Sequence, residues 1–200
     1  MFKKLKEFFG EPSEEERLGQ ICALVLAQDQ FSELRKSEAI VKTITDRVGT
    51  SVATILESKE ESSRAYAARL ELLKAAKRMA MAKRFPYLPE RERIELAARH
   101  WPDHALSPEE ALSAANTNYC VAFGETVCLD MILGQIDTTG ERNWWAEYLI
   151  LCMADPDAPV VDSAEQAILN GNGMEEFSSE LAEAQAAVKA LATNADNRQE

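Results

Sequence analysis

The segment SSRAYAARLELLKAAKRMAMAKR, from about Ser62 to Arg84, constrains the fold more than any other part of the chain. Its apolar residues recur at helical spacing and predict one long α-helix. They fall into two stripes, the first formed by Tyr66, Leu70, Leu73 and Met81, the second by Leu72, Ala76 and Met79. A helix with two apolar stripes is buried on two sides, so we expect it to lie at the centre of the molecule.

Helix-breaking residues are rare in the rest of the chain. Only eight glycines and seven prolines occur in 200 residues, whereas alanine, leucine and glutamate are abundant, which favours long helices over short strands. With 46% hydrophobic residues, the chain is able to bury a sizeable core. We predict an all-α fold, a compact multi-helix bundle of about eight or nine helices. A single domain is expected over residues 1–192, with an alternative sub-boundary near residues 102–107 and a frayed tail over residues 193–200.

Two sequence patterns mark where helices begin. Ser13 followed by Glu16 predicts a capping box, in which each side chain bonds the backbone N–H of the other residue. The segment SPEE predicts a second box between Ser107 and Glu110, with Pro108 at the first helical position. A long helix is expected from Pro108 to about residue 135.

Other signals predict further boundaries and one close contact. Ser32 is a candidate cap for the second helix, Gly49 is expected to end it, and a short helix should follow. Asp162 and Glu165 suggest a third capping box. Gly124 lies inside a predicted helix, where it costs about 1 kcal/mol relative to alanine, so we expect another helix to approach closely there.

Charge is distributed unevenly along the chain. Residues 1–100 hold nineteen Lys and Arg against sixteen Asp and Glu, whereas residues 101–200 hold three against eighteen. A negative field of this kind accelerates encounter with a cationic partner. We therefore interpret the carboxyl-terminal half as a recognition face for a basic protein. The candidate partner-binding residues are Glu109, Glu110, Asp130, Asp137, Glu141 and Glu147.

The chain opens with MFKKLKEFFG, a basic amphipathic turn on an acidic protein. Residues 1–9 are compatible with peripheral contact to an anionic membrane. Nine residues bury little area, however, and three lysines contribute only about 1 kcal/mol each near such a surface. We favour the alternative, in which this turn docks on the protein's own helical body with Lys3, Lys4 and Lys6 directed toward its carboxylates.

The region from Arg64 to Arg99 is basic, with ten Lys and Arg against four Asp and Glu. A helical projection scatters these charges around the circumference, and the whole chain has a pI near 4.8, which disfavours binding to nucleic acid. The last predicted helix, from about Met174 to Leu191, has coiled-coil spacing. We expect it to pack on the body, with homo-oligomerisation through this helix as an alternative.

The sequence contains no recognisable catalytic signature. Pro102 interrupts any helix that would place His100 and His104 on one face as metal ligands. The four cysteines lie in apolar helical neighbourhoods and are interpreted as reduced core residues; Cys120 and Cys128 are too far apart on one helix for a disulfide. We predict no enzymatic activity and no cofactor. Uninterrupted apolar runs are shorter than a spanning helix needs, and no signal peptide is evident, so a cytoplasmic location is expected.

Two stretches resemble the tellurite-resistance TerB-like family of small helical domains: LGQICALVLAQDQFSELRKSEAIVKTITDRVG and LLKAAKRMAMAKRFPYLPERERIELAARHW. Each contains a helix, a short loop and a helix with an acidic start, as members of that family do, and the resemblance covers roughly residues 15–125. It implies a loop site for divalent cations, to which Asp29, Glu33 and Glu38 correspond. The Asp-Gly pair common in that family is absent here, because Gln30 follows Asp29, and a single loop is a weak hard-cation site.

These features together predict a non-catalytic helical interaction or regulatory protein that binds a basic partner through its acidic carboxyl-terminal half. The alternative is a TerB-like protein associated with stress or divalent metal. A third hypothesis is that the protein is an enzyme whose active site is not visible in the sequence. This hypothesis would require an exposed Cys120 or Cys128 beside His100 or His104.

Overall fold

The structure is a computed structural model that describes residues 12–100, 107–137 and 144–196. The described residues contain eight α-helices and no strand, which confirms the predicted all-α class. The helices are α1 Glu14–Leu26, α2 Glu38–Glu57, α3 Glu61–Arg84, α4 Glu90–His100, α5 Pro108–Ile136, α6 Trp144–Ala154, α7 Pro159–Leu169 and α8 Ser178–Asp196. Single 3-10 turns occur at Asp29–Phe31, Leu34–Lys36, Phe85–Tyr87 and Glu175–Phe177. The amino-terminal turn, residues 1–9, lies outside the described residues, so its docking stays a prediction.

Both predicted capping boxes at the starts of α1 and α5 are confirmed. The Glu16 N–H donates to Ser13 Oγ at 3.1 Å, and the Ser13 N–H donates to Glu16 Oε2 at 2.7 Å. At α5 the equivalent bonds join Ser107 and Glu110 at 3.2 and 2.8 Å. Each box satisfies amide groups that the first helical turn leaves without an intrahelical partner.

Two of the predicted boundaries of α2 are wrong. Ser37, not Ser32, is the N-cap, and its Oγ accepts the Ile40 N–H at 3.4 Å. Gly49 does not end the helix, which continues to Glu57. Beyond the glycine, Val52 and Ile55 extend the buried face of α2, and burial of their side chains outweighs the roughly 1 kcal/mol that glycine costs.

The predicted capping box at Asp162 and Glu165 is also wrong. Helix α7 begins earlier, with Ala158 as N-cap and Pro159 at the first position. Proline has the helical φ already fixed and lacks an N–H that would need a partner there. Glu165 instead accepts a hydrogen bond from the Tyr148 hydroxyl at 3.0 Å, which links α7 to α6.

Helices α3 and α5 form the most extensive helix pair and lie at the centre of the fold, as predicted for α3. The buried surface of α3 is rich in small residues, including Ala68, Ala75, Ala76 and Ala80, which allows neighbouring helices to approach closely. Tyr66, which was expected in an apolar stripe, is 45% exposed instead. The first two turns of α3 are largely exposed; of this stripe Leu73 is buried, and Leu70 and Met81 are half-buried.

The remaining helices pack around this central pair. Helices α1 and α2 pack against each other and against α5, whereas α6 and α7 contact α3, and α8 covers α6. The predicted close approach at Gly124 is confirmed: a Cβ at this position would lie 2.5 Å from Ile44 Cδ1 of α2. Glycine therefore sets the distance between α2 and α5.

The terminal helix α8 packs on the body, as predicted. Phe177 and Ala184 lie in the main core, and Leu181 and Val188 pack against it. The turn before it begins at Gly171, which ends α7 with a φ of +84°. The Asn172 N–H donates to the Ala167 carbonyl at 2.9 Å across this turn. The helix continues to Asp196, beyond the predicted start of the frayed tail.

Helix α5 is long and apolar enough, by length and composition alone, to cross a membrane. The sequence prediction considered only uninterrupted apolar runs and therefore overlooked this helix, which contains Glu125 and Asp130. Half of its most apolar window is buried within the protein. The central helix of a bundle has this composition because neighbouring helices cover it on several sides.

Candidate partner-binding pocket

Negative charge dominates the exposed surface of the described carboxyl-terminal half. Residues 107–137 and 144–196 contain fifteen Asp and Glu and one lysine. Nine of these carboxylates are exposed: Glu109, Glu110, Asp155, Asp157, Asp162, Glu175, Glu176, Glu180 and Glu183. Within the described part of the chain, none of the nine forms an ion pair. Their charge is therefore presented to solvent and is not cancelled by cations of the described residues.

The predicted partner-binding residues that the structure describes are distributed along α5, on α6 and at the end of α5. Glu109 and Glu110 lie at the start of α5, where the backbone N–H of Ser107 lowers the pKa of Glu110. Asp130 is half-buried on the same helix. Glu147 is half-buried on α6, and Glu141 lies outside the described residues.

Asp137 is directed inward and is not available as an open recognition residue, contrary to the prediction. Its Oδ2 forms a short ion pair with Nη2 of Arg69 on α3, and the exposed fractions of the two side chains are only 12% and 17%. The same guanidinium donates from Nη1 to the Leu169 carbonyl at the end of α7, at 3.3 Å. Arg69 thus ties α3 to the ends of α5 and α7.

A pocket lies between α6 and α8. It encloses about 390 Å³ and opens to solvent. One wall comes from α6, where Trp144 and Glu147 are three residues apart and share a helix face. The opposite wall comes from the turn before α8 and from α8 itself. The lining residues that the structure describes are Trp144, Glu147, Gly173, Met174, Glu175, Ser178, Leu181, Ala182 and Gln185.

The pocket has an acidic and aromatic character. Among the described lining residues, Glu147 and Glu175 are the charged ones, and neither lysine nor arginine occurs. Trp144 also lines the pocket with a small exposed part, 8% of the residue, and the π face of an indole attracts cations. Sequence reasoning identified Glu147 but missed Glu175 as its counterpart, because these residues are 28 positions apart and only the packing of α8 on α6 brings their elements together.

The basic residues of α3 pair largely with carboxylates of the same chain. Arg64 contacts Glu14 of α1 at 2.9 Å, and Lys74 contacts Glu71 at 2.7 Å. Glu71 also accepts a hydrogen bond from the buried hydroxyl of Ser51 on α2, at 2.8 Å. These ion pairs, and the pair that Arg69 forms with its carboxylate partner, neutralise positive charge that a nucleic-acid-binding surface of the protein would need.

Glu125 is the most deeply buried carboxylate in the described structure, at 1% exposure, and sequence reasoning missed it. Arg78 of α3 donates to its Oε1 at 2.6 Å, and Arg47 of α2 lies 3.6 Å from its Oε2. Two guanidinium groups thus offset the cost of burying one negative charge. A lone glutamate within a long apolar helix was the available sequence signal.

The loop to which the TerB-like resemblance assigns a cation site lies between α1 and α2. Asp29, Glu33 and Glu38 are all exposed, and Glu33 pairs with Lys36 at 2.6 Å. The guanidinium of Arg35 already binds the carbonyls at the end of α1. Among the described residues, no group of three or more His, Cys, Asp or Glu side chains is placed to hold a metal ion.

The arrangement required by an enzyme with a cysteine nucleophile is not present at Cys128, which is fully buried. Cys120 is half-buried, and burial raises its pKa, which disfavours the thiolate. The His100 side chain and His104 lie outside the described part of the structure. The absence of enzymatic activity stays a prediction.

Comparison of the chain with protein-family models, with curated proteins and with solved structures finds no match in any of the three. Nothing in these comparisons bears on the TerB-like resemblance, which stays a prediction.

Proposed function

We propose that the protein is a non-catalytic interaction protein whose carboxyl-terminal half binds a basic partner. The observation that carries the proposal is the pocket between α6 and α8, where Glu147, Glu175 and Trp144 line a space of about 390 Å³. This volume is sufficient for the end of an arginine or lysine side chain. The exposed carboxylates elsewhere in this half act over a longer range and draw the partner toward it.

Arginine fits the pocket better than lysine. A planar guanidinium stacks on an indole and also forms two parallel hydrogen bonds to a carboxylate, whereas an ammonium acts as a compact point charge that is more strongly hydrated. Glu147 and Glu175 provide the carboxylates, and Trp144 provides the aromatic surface. The apolar side chains of Met174 and Leu181 contact the methylene stem.

The test uses dye-labelled peptides of equal length and net charge, one rich in arginine and one rich in lysine, in fluorescence anisotropy titrations. We expect binding that weakens with salt and favours the arginine peptide. The double variant Glu147→Gln/Glu175→Gln should weaken binding at least about tenfold, equivalent to roughly 1.4 kcal/mol. Glutamine preserves the shape of the side chain, and circular dichroism verifies that each variant is folded.

A matched control is provided by Glu180→Gln/Glu183→Gln, which removes the same charge from α8 outside the pocket lining. We expect this control to weaken binding no more than about threefold, through the long-range field alone. Equal losses in the two double variants would refute pocket recognition and leave only diffuse attraction. Failure of both peptides to bind at low salt would refute the binding of basic partners.

A further inference from the structure

Two cysteines meet in the core although they lie 106 residues apart in the chain. Cys22 of α1 and Cys128 of α5 are 3% and 0% exposed, and their Sγ atoms are 3.6 Å apart. All four cysteines of the protein are free thiols, and these two form the one sulfur–sulfur contact among them. The fold thus brings together a pair that helical spacing did not predict.

The separation is close to what a disulfide requires. A disulfide has an S–S length near 2.05 Å, so the two sulfurs must approach by about 1.5 Å. Helices α1 and α5 pack directly against each other, so the approach brings together side chains of two helices that are already in contact. Helix α1 has 13 residues and packs chiefly on α2 and α5, which makes it the easier of the two helices to move.

The two thiols also differ in their chemistry. The Cys128 thiol donates a hydrogen bond to the Cys22 sulfur and thereby lowers the pKa of Cys22, with a smaller contribution from Thr45 in the same direction. The pKa of Cys128 is raised by this hydrogen bond, by burial and by the negative charges of Cys22 and Glu125. Cys22 is therefore the thiolate-forming partner, and Cys128 retains its proton.

We propose that Cys22 and Cys128 are a redox-sensitive pair that closes into a reversible disulfide between α1 and α5 when the protein meets a peroxide. Local opening of α1 admits the oxidant to Cys22. The closed bond then fixes α1 against the central helix.

The reaction balances with one molecule of hydrogen peroxide. The Cys22 thiolate attacks one peroxide oxygen, the O–O bond breaks, and the departing hydroxide takes up a proton to become water, which leaves Cys22 as a sulfenic acid. The Cys128 sulfur then attacks the Cys22 sulfur, the S–O bond breaks, and the thiol proton leaves with hydroxide as a second water. Two thiols are oxidised and one peroxide is reduced.

The test treats the full-length native protein with hydrogen peroxide and maps cysteine-containing peptides without reduction. We expect a Cys22–Cys128 cross-link within one chain, a fall from four titratable thiols to two in denaturant, and recovery of all four with dithiothreitol. Because the bond closes a loop of roughly 100 residues, the oxidised protein should melt about 5–10 °C higher.

Variants separate this pair from the other cysteines. Cys22→Ala and Cys128→Ala should each abolish the cross-link and the melting shift, whereas Cys120→Ser, which alters a half-buried thiol, should leave both intact. Mapping of the wild-type protein decides the matter even if a core variant fails to fold. The proposal is overturned if all four thiols survive treatment, if Cys22 is overoxidised without cross-linking, or if the bond forms with Cys120 or between chains.

Discussion

The close approach of α2 and α5 at Gly124 leads to a prediction whose sign depends on the side chain of one residue, Ile44. Gly124→Ala adds a Cβ that would lie 2.5 Å from Ile44 Cδ1, where carbon atoms prefer about 3.5–4.0 Å. Ile44 is completely buried, so its side chain must displace other core residues in order to move. Gly49→Ala is the matched control, because this glycine also lies within a helix but has no atom within 4 Å of the added Cβ.

The magnitudes follow from two opposing effects. Alanine stabilises a helix interior by about 1 kcal/mol relative to glycine, so Gly49→Ala should raise the free energy of unfolding by about that amount. Overpacking a core costs about 1–3 kcal/mol, so Gly124→Ala should lower the free energy of unfolding by about 0–2 kcal/mol. Ile44→Val removes the contacting Cδ1 and alone costs about 0.5–1.5 kcal/mol. In that background only the Cγ1 contact at 3.3 Å stays tight, so Gly124→Ala should become neutral or stabilising by up to about 1 kcal/mol.

The assay is urea unfolding of the four members of this double-mutant cycle and of the Gly49→Ala control, followed by far-ultraviolet circular dichroism. We expect a coupling free energy of about 1–3 kcal/mol between positions 44 and 124. Additivity within about 0.5 kcal/mol, or stabilisation by Gly124→Ala equal to that by Gly49→Ala, would refute the steric reasoning. An altered m-value would indicate a changed denatured state and would require a separate comparison.

Three further outcomes are expected. Glu125→Gln removes a buried charge that two arginines compensate, so it should lower the free energy of unfolding by about 1.5–3 kcal/mol in urea titrations. The exposed control Glu183→Gln should change it by less than about 0.5 kcal/mol. Arg69→Met removes an ion pair that is largely buried and should lower the free energy of unfolding by about 2–3 kcal/mol. Arg91→Met, which removes a solvent-exposed ion pair, should lower it by less than about 1 kcal/mol, and equal losses would contradict the inward role of Arg69. Burial raises the pKa of Cys152 from 9.0 to about 11, so the unfolded chain releases this proton first and the free energy of unfolding should fall as pH rises through that interval. In Cys152→Ala the free energy of unfolding should fall less steeply with pH. An identical slope in the two proteins would exclude this thiol as a cause.

Some features that depend on residues a few positions apart were predictable from the sequence, although the capping box predicted at Asp162 and Glu165 was wrong. The capping boxes at Ser13 and Ser107 involve partners three residues along the chain, so the local pattern determines them. The same is true of the central helix, because its apolar residues repeat along its own length. The boundary predicted at Gly49 failed because local propensity was outweighed by long-range burial of the residues that follow it.

The candidate site was only partly predictable. The acidic excess of the carboxyl-terminal half is a property of composition, and it indicated Glu147 as a candidate. The inward ion pair of Asp137 and the contribution of Glu175 to the pocket depend on how separate helices pack against one another. The periodicity of residues along one helix carries no information about that packing. A carboxylate has the same sequence letter whether it faces solvent or a guanidinium.

The sequence by itself determined that this protein is helical, where several of its helices begin, and that negative charge is concentrated in its second half. The helices and their starts arise from backbone propensity and short-range hydrogen bonds, which act between residues close together in the chain. The charge excess is a matter of composition, which does not depend on how the chain folds. Tertiary structure alone decided that Cys22 meets Cys128, that two arginines enclose Glu125, and that α6 and α8 form a pocket. Each of these contacts joins residues far apart in the chain, so it exists only after apolar burial has fixed how the helices pack.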